Sequence, residues 1–201
     1  MQVIIIGGGA SGLMAAITAA RNGRQVTLLE RQARVGRKLL ATGNGRCNLT
    51  NQNMGLPYYH GQAPDFARPA LEALDLDATL DFFHSLGLLT TAEDNGRVYP
   101  YTDQAGSVLD VLRFAADAAG VMTRTGFEVT GLKRGKKGFL VSSAEETLPA
   151  DRVIVCWAAW PVESWAAPAA VMSCFRLWAT VSRSSTPLWC RSKPTTPMSR
   201  R

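Results

Sequence analysis

Histidine is nearly missing from this chain of 201 residues: only His60 and His84 occur, and neither falls in a metal-ligand spacing. That argues against a zinc-type centre, so no metal is expected. Before residue 151 there is one cysteine, Cys47, and no Cys-x-x-Cys pair, which argues against a dithiol redox relay. No set of nucleophile, base and orienting group stands out either. The uncharged run over 2–20 lacks a basic leader and carries four glycines, and Arg21 follows at once, as in a soluble helix. Neither a signal peptide nor a membrane span fits it, so a cytoplasmic protein with no membrane partner is expected. Repeats and low-complexity tracts are absent from the first 150 residues. The length allows one good core and part of a second.

Net charge is +6, but its distribution matters more than its size. Residues 1–150 hold 15 basic and 14 acidic side chains, whereas 151–201 hold 7 and 2. The main body is close to neutral, and its one basic cluster, Lys133, Arg134, Lys136 and Lys137, straddles Gly135 and Gly138. That pattern suits a solvated hairpin better than a nucleic-acid stripe, so no nucleic-acid partner is expected.

What the sequence does contain is concentrated in its first thirty residues. Val3, Ile4, Ile5 and Ile6 form a β-branched run that leads straight into Gly7, Gly9 and Gly12, spaced G-x-G-x-x-G, and a helix of small residues follows. Gly7 permits a sharp exit from the strand, Gly9 lets backbone approach a pyrophosphate, and Gly12 lets the helix lie close on the sheet. An anion would then meet the unpaired N–H groups and positive dipole end of that helix, next to Ala10 and Ser11. A second apolar run, 26–29, ends at Glu30, 18 residues after Gly12, where a carboxylate can accept from ribose hydroxyls. A carboxylate there would repel a 2′-phosphate, so FAD or NAD fits better than NADP.

The next stretch, RQARVGRKLLATGNGRCNLTN, brings Arg31, Arg34, Arg37, Lys38 and Arg46 into a loop punctuated by Gly36, Gly43 and Gly45. On composition alone two readings stay open, a cationic wall facing a pyrophosphate and a solvated basic loop. Taken together, GGGASGLMAA, LLE and GRKLLATGNGRCNLTN resemble the bacterial NAD(P)/FAD-dependent oxidoreductase family that includes the 3-dehydro-bile-acid reductases. The likeness is specific through Asn51 and looser to about residue 155. It implies a Rossmann-like α/β FAD-binding domain over 1–155, with a parallel sheet, a helical insertion near 63–87 and a β-meander at 127–148. It also implies FAD contacts at Gly7, Gly9, Ala10, Ser11, Gly12, Glu30, Arg31, Gly36, Lys38, Leu39, Arg46 and Asn48.

The implied function is FAD-dependent oxidoreduction, with hydride moving to or from an unidentified carbon substrate and NAD(P)H as a possible reductant. Two rivals share the cradle: an NAD-dependent dehydrogenase, which the GRCN loop speaks against, and a flavoprotein-like module that grips or modifies RNA, which the neutral body disfavours. No catalytic residue is assigned. Cys47 is read as packing or backbone positioning and not as a redox group.

Further along, helices are expected over 66–74 and over 78–86, the second capped by Asp77 and stopped by Gly87. His84 there reads as an ordinary surface or half-buried side chain. A hairpin is expected around Asn95 and Gly96, with Arg97 and Tyr99 as weak site candidates by resemblance and hairpin anchoring as the favoured reading for Arg97. Residues 107–119 show an amphipathic helix stopped by Gly120. Strands are then expected at 121–124, 127–133, 139–143, 146–148 and 151–155, the first and last joining the parallel sheet. In flavoproteins of the resembled kind, the strand after the crossover helix meets the adenine through its backbone, which makes Val129 a further candidate.

Composition changes abruptly beyond residue 155. All 18 glycines precede residue 151, whereas all five tryptophans and three of four cysteines follow it. Ordered domains do not divide their composition so sharply. Tryptophan is encoded TGG and alanine GCN, so taking the last base of one codon with two of the next converts Trp157-Ala158, Trp165-Ala166 and Trp178-Ala179 into glycine. In that frame Cys156-Trp157 becomes leucine, and the strand would continue as Val-Leu-Gly. Residues 156–201 therefore read as an out-of-frame tail, and the chain as an incomplete cofactor-binding unit, inactive as it stands, because the resembled proteins run to roughly twice its length. The expected outcome is that restoring the alternative frame at codon 156 raises bound FAD and protease resistance. Stoichiometric FAD and a protected tail in the unaltered chain would contradict it.

Overall fold

The apolar runs near the N-terminus become adjacent strands of a four-stranded parallel sheet. The computed structural model describes residues 1–61 and 63–156, so nearly all of the proposed out-of-frame tail lies outside the described residues. Strand β1 (Gln2–Ile6) leads through the glycine loop into helix α1 (Ala10–Arg21), and β2 (Gln25–Leu29) returns parallel to β1 in the register Ile6 to Leu29. A short helix α2 (Arg37–Leu40) and a 3-10 turn over Thr42–Gly45 come next, followed by the two-residue strand β3 (Thr50–Asn51).

Helices α3 (Arg68–Ala73) and α4 (Leu76–Ser85) precede a hairpin of β4 (Thr90–Ala92) and β5 (Arg97–Pro100), whose free side pairs with β3. Helix α5 (Ala105–Ala118) then crosses back and delivers β6 (Met122–Arg124) to the far side of β2. A three-stranded antiparallel meander follows, β7 (Gly131–Gly135), β8 (Gly138–Ser142) and β9 (Thr147–Ala150). Finally β10 (Arg152–Val155) pairs parallel with β1, giving the order β10-β1-β2-β6.

Three layers result, and β1 shows why its sequence alternates nowhere between apolar and polar. Val3 and Ile5 pack with Leu13, Ile17, Leu109 and Leu112 of α1 and α5, while Ile4 and Ile6 pack with Val129, Val141 and Ala150 on the meander side. A strand covered on both faces by other elements must be apolar at every position. Each fully buried aliphatic side chain stabilises by about 1.5–3 kcal/mol relative to exposure, and Ile4, Ile5, Leu13, Ile17 and Leu28 are all essentially inaccessible. The helix layer thus holds α1 and α5 in place over the strand ends.

Several expected elements shift, each for a local reason. The helix expected over 66–74 is split into a 3-10 turn, Pro64–Ala67, and the short α3, because Pro69 suits a first helical turn and not a helix interior. The cap of α4 is Asp75 and not Asp77: its carboxylate accepts from the Ala78 N–H at 2.8 Å, and Asp77 falls in the first turn, where its charge suits the dipole. Helix α5 begins at Ala105, two residues before the expected start, and ends at Ala118 with Ala119 as C-cap and Gly120 at φ 76°, where the Val121 N–H closes the turn on the Ala116 carbonyl at 3.0 Å.

The meander begins at Gly131 and not at 127. Phe127 and Val129 turn inward as buried residues, and the Phe127 N–H donates to the Glu30 carbonyl at 3.0 Å instead of joining β8.

Gly12 is where packing leaves least room. A Cβ there would sit 1.8 Å from the Gly7 carbonyl oxygen, backbone that cannot move aside without dragging β1 and α1 apart. Gly12→Ala is expected to cost about 3 kcal/mol, the upper end of overpacking penalties, and to lower the melting temperature by about 6–12 °C. Thermal unfolding followed by circular dichroism checks this, and an unchanged transition would refute the close-packing role.

Candidate nucleotide-binding site

A cavity of about 720 Å³ opens where β1 and β2 end, between the glycine loop, α2 and the segment before the meander. That volume lies within the range of small-molecule sites. Its floor is the loop Gly7–Gly9, held from three sides. The Gly7 N–H donates to the Leu29 carbonyl at 2.8 Å, and the Gly36 N–H donates to the Gly8 carbonyl at 2.8 Å. The Gly8 N–H donates to Glu30 Oε2 at 2.7 Å. Glu30 Oε1 in turn accepts from the Gln32 N–H at 2.9 Å, so both carboxylate oxygens are fixed by backbone while each retains acceptor capacity toward the cavity.

Helix α1 starts at this floor. Gly9 is its N-cap and brings no side-chain acceptor, and no acidic residue lies in the first turn. The Leu13 N–H makes the first intrahelical bond, to the Gly9 carbonyl at 2.9 Å. A helix of 12 residues with such an end presents oriented N–H dipoles to an anion. The two outer glycines of the loop differ in surroundings: a Cβ at Gly12 is blocked by backbone, whereas a Cβ at Gly9 would meet nothing within 4 Å.

Of the candidate residues read from sequence, Gly7, Gly9, Ala10, Ser11, Glu30, Arg31, Gly36, Lys38, Leu39, Asn48 and Val129 all line this one cavity. Two do not. Gly12 lies behind the floor against Gly7. Arg46 points elsewhere: its guanidinium pairs with Glu93 at 2.8 Å and with Asp103, and stacks 3.9 Å from the centroid of the Tyr99 ring. In this structure the Arg46 side chain is engaged with the β4–β5 hairpin and its flank, away from the cavity lining.

Tyr99 is buried beneath that stack, and Arg97 is the exposed first residue of the otherwise buried β5; neither lines the cavity. The Asn48 side-chain amide faces the carbonyls of Thr50 and Val98, and with its nitrogen turned toward them, the orientation that satisfies both, it donates at 2.8 and 3.2 Å. Cys47 also lines the cavity, buried and at φ 61°, and burial pushes its thiol pKa up, with a smaller opposing effect from Thr42. A thiol so shifted is a poor nucleophile at neutral pH.

Sequence reasoning missed Gly8, Gln32, Phe83, Val108 and Phe127, which line the same space. Gly8 carried a usable signal, since three consecutive glycines leave the middle one unexplained by the G-x-G-x-x-G spacing. A Cβ at Gly8 would sit 2.6 Å from Val35 and 3.1 Å from the Glu30 Cβ. Phe83 and Val108 come from helices distant in sequence, and nothing local marks them.

A parallel sheet whose first strand turns through glycines into a helix N-terminus, with a carboxylate at the end of the second strand, defines a Rossmann-type nucleotide-binding domain. The chain belongs to the HI0933-like protein Rossmann domain family, whose model matches residues 1–171. The family resemblance read from the glycine and GRCN stretches is thus borne out.

Among curated proteins, the chain is 49% identical over 156 residues to a 3-dehydro-bile acid delta(4,6)-reductase of Clostridium scindens, and 28% identical over 154 residues to a ribosomal RNA dihydrouridine synthase of Escherichia coli. Each alignment covers 77% of this chain and 38% of the relative. Among solved structures, Thermovibrio ammonificans THI4 superposes with a TM-score of 0.54 at 18% identity, covering 87% of this chain and 61% of that one. A 3-ketosteroid-delta4-(5alpha)-dehydrogenase from Rhodococcus jostii RHA1 gives 0.55 at 17% identity, covering 78% and 45%. These structural likenesses speak to the fold. Among the described residues, no helix is long and apolar enough to cross a membrane.

Glu30 offers a test of the floor itself. In Glu30→Gln one acceptor oxygen becomes an amide donor, which must face either the Gly8 or the Gln32 N–H. A stability loss of about 1–3 kcal/mol follows from one unsatisfied donor in this half-buried place. Amide hydrogen exchange should speed up at Gly8 and Gln32 in particular. Unaltered exchange at both amides would mean that the carboxylate does not hold the loop.

Proposed function

We propose that this cavity takes the adenosine and pyrophosphate of FAD, and that the chain is the N-terminal part of an FAD-dependent oxidoreductase moving a hydride to or from an unidentified carbon substrate, NAD(P)H serving as the reductant where the substrate is the hydride acceptor. The observation that carries the reading is the contrast within the glycine loop, closed by backbone at Gly12 and open at Gly9. Packing within the chain does not require glycine there, and close approach of a ligand to the backbone would. The 49% identity to a protein named as a reductase supports the direction of the chemistry, and the 38% of that relative's length spanned here makes its substrate and full activity a matter for experiment.

The chain's own residues fit the group. The peptide N–H groups at Ala10 and Ser11 begin an uncapped helix whose dipole favours the pyrophosphate, and Arg31 and Lys38 add cationic character to the same lining. Glu30, already oriented by two N–H donors, keeps acceptor capacity for ribose hydroxyls and repels a 2′-phosphate. Val129 and Phe127 supply an apolar wall for an aromatic base. When bound, FAD supplies the redox chemistry through its isoalloxazine ring, while the protein binds and orients it.

The rival reading, an NAD-dependent dehydrogenase, uses the same floor, so binding must decide. Purified chain should take up FAD below stoichiometry, with quenched flavin fluorescence, and show little affinity for NAD; tight NAD binding without FAD uptake would reverse the assignment. Gly9→Ala sharpens the test. It should weaken FAD binding by about tenfold or more through loss of close backbone approach, while costing less than about 1 kcal/mol of stability at an N-cap position. Equal FAD affinity in Gly9→Ala and the parent chain would sink the proposed placement of the pyrophosphate.

A further inference from the structure

The 42–48 segment forms one wall of the cavity and has an unusual backbone. Gly43, Asn44, Gly45 and Cys47 all have positive φ, at 54°, 56°, 86° and 61°. Two of these are not glycine; asparagine enters the left-handed region readily, whereas Cys47 persists there only where its surroundings hold it. The internal bonds of the segment are few: the Arg46 N–H to the Gly43 carbonyl at 3.2 Å and the Cys47 N–H to the Thr42 carbonyl at 3.0 Å. From outside, the segment is held by the burial of Cys47 in the helix-side core, by Thr42 Oγ1 donating to the Leu39 carbonyl at 2.6 Å, and by the Arg46 side chain, which alone reaches both the hairpin turn and the start of α5.

Its guanidinium reaches two carboxylates on separate parts of the chain. Nη2 meets Glu93 beside the hairpin turn, and Nε meets Asp103, which lies just before α5 and itself has φ 57°. The plane stacks on Tyr99, whose ring edge also lies 3.3 Å from where a Gly43 Cβ would be. The loop thus grips one buried aromatic ring from its face and its edge. Helix α5 supplies Val108 and Leu112 to the opposite part of the cavity lining, so the Arg46–Asp103 pair connects two walls of the same space.

We infer that Arg46 is a positioning residue, a latch that sets the 42–48 wall against the hairpin and the start of α5 and keeps Cys47 shut away. The planar fork matters as well as the charge, because two edges and one face are used at once. Lysine can supply one ion pair but not the second edge or the stacked plane. The inference deepens the FAD reading of this site, yet its first readout is independent of it.

That readout is the alkylation rate of Cys47 by N-ethylmaleimide in the full chain, resolved by peptide mass mapping, with half-buried Cys156 as internal reference. Arg46→Met should raise the Cys47 rate by about five- to thirtyfold, the range expected for losing two partly exposed ion pairs and one cation–π contact, with the Cys156 rate unchanged. Arg46→Lys should fall between. The double variant Glu93→Gln with Asp103→Asn should reproduce the effect with Arg46 still present, which covers the case of a poorly folding Arg46→Met.

An unchanged Cys47 rate in these variants overturns the latch. So does a parallel rise at Cys47 and Cys156 accompanied by a lower melting temperature, since that reports general loosening. In a second arm, FAD affinity should fall in Arg46→Met while Arg46→Lys recovers part of it. A parent chain with no FAD affinity would sink the FAD reading and leave the alkylation result to decide the latch.

Discussion

The hydrogen bond from the Gly8 peptide N–H to Glu30 is the constraint on which the site's geometry depends, because it fastens the turn after β1 to the residue after β2 at 2.7 Å. Parallel strands leave their C-terminal ends side by side with unpaired backbone, and something must close that edge. Here a carboxylate closes it from below with both oxygens, leaving the glycine loop flat and its upper surface clear. Gly8 must lack a side chain for this, since a Cβ would crowd Val35 and the Glu30 stem together. The same carboxylate that recognises ribose in the proposed function therefore also builds the floor, so substitution at Glu30 changes two things at once and needs a structural readout beside a binding one.

Burial on both faces of β1 and β2 gives this arrangement its stiffness. The α1 and α5 layer presses from one side and the meander from the other, and close-packed interiors of this kind do not deform continuously. The loop is carried on rigid elements, which is what a preorganised binding site requires. By contrast, the wall formed by 42–48 has little regular structure and depends on side-chain ties. One half of the cavity is thus fixed by the core and the other by a polar cluster at the surface.

That division explains what could be read from sequence. The β1–loop–α1–β2–Glu30 unit was legible because each piece is local: a four-residue β-branched run, glycines at fixed offsets, and an acid at the end of the next apolar run. The strands at 121–124 and 151–155 and the hairpin turn at Asn95 and Gly96 were legible for the same reason, and crossover logic put the two strands in the parallel sheet without naming their neighbours, which are β2 and β1. Less legible were the details settled by competition between equivalent residues. Asp75 and Asp77 are both plausible caps, and only the approach of the Ala78 N–H decides. Phe127 and Val129 alternate like a strand, yet their burial against the sheet outweighs pairing with β8. Arg46 was beyond local reading, because its partners lie 47 and 57 positions away.

Arg46 also shows how resemblance and geometry divide the work. A cation within a glycine-rich loop beside a nucleotide cradle invites assignment to phosphate, and Arg31 and Lys38 do line the cavity. But an arginine that already has two carboxylates and an aromatic face would have to abandon all three to reach a pyrophosphate. Each partly exposed pair is worth at most about 1 kcal/mol, and a stacked aromatic adds about 0.5–1 kcal/mol, so the total resists exchange without forbidding it. The left-handed backbone at Cys47 does not add to that resistance, because a released segment could relax it; what the structure shows is an Arg46 side chain already engaged on the hairpin side and not lining the cavity. On the proposed function, an arginine tied in this way would contribute to binding through the shape of the wall and not through a direct phosphate contact.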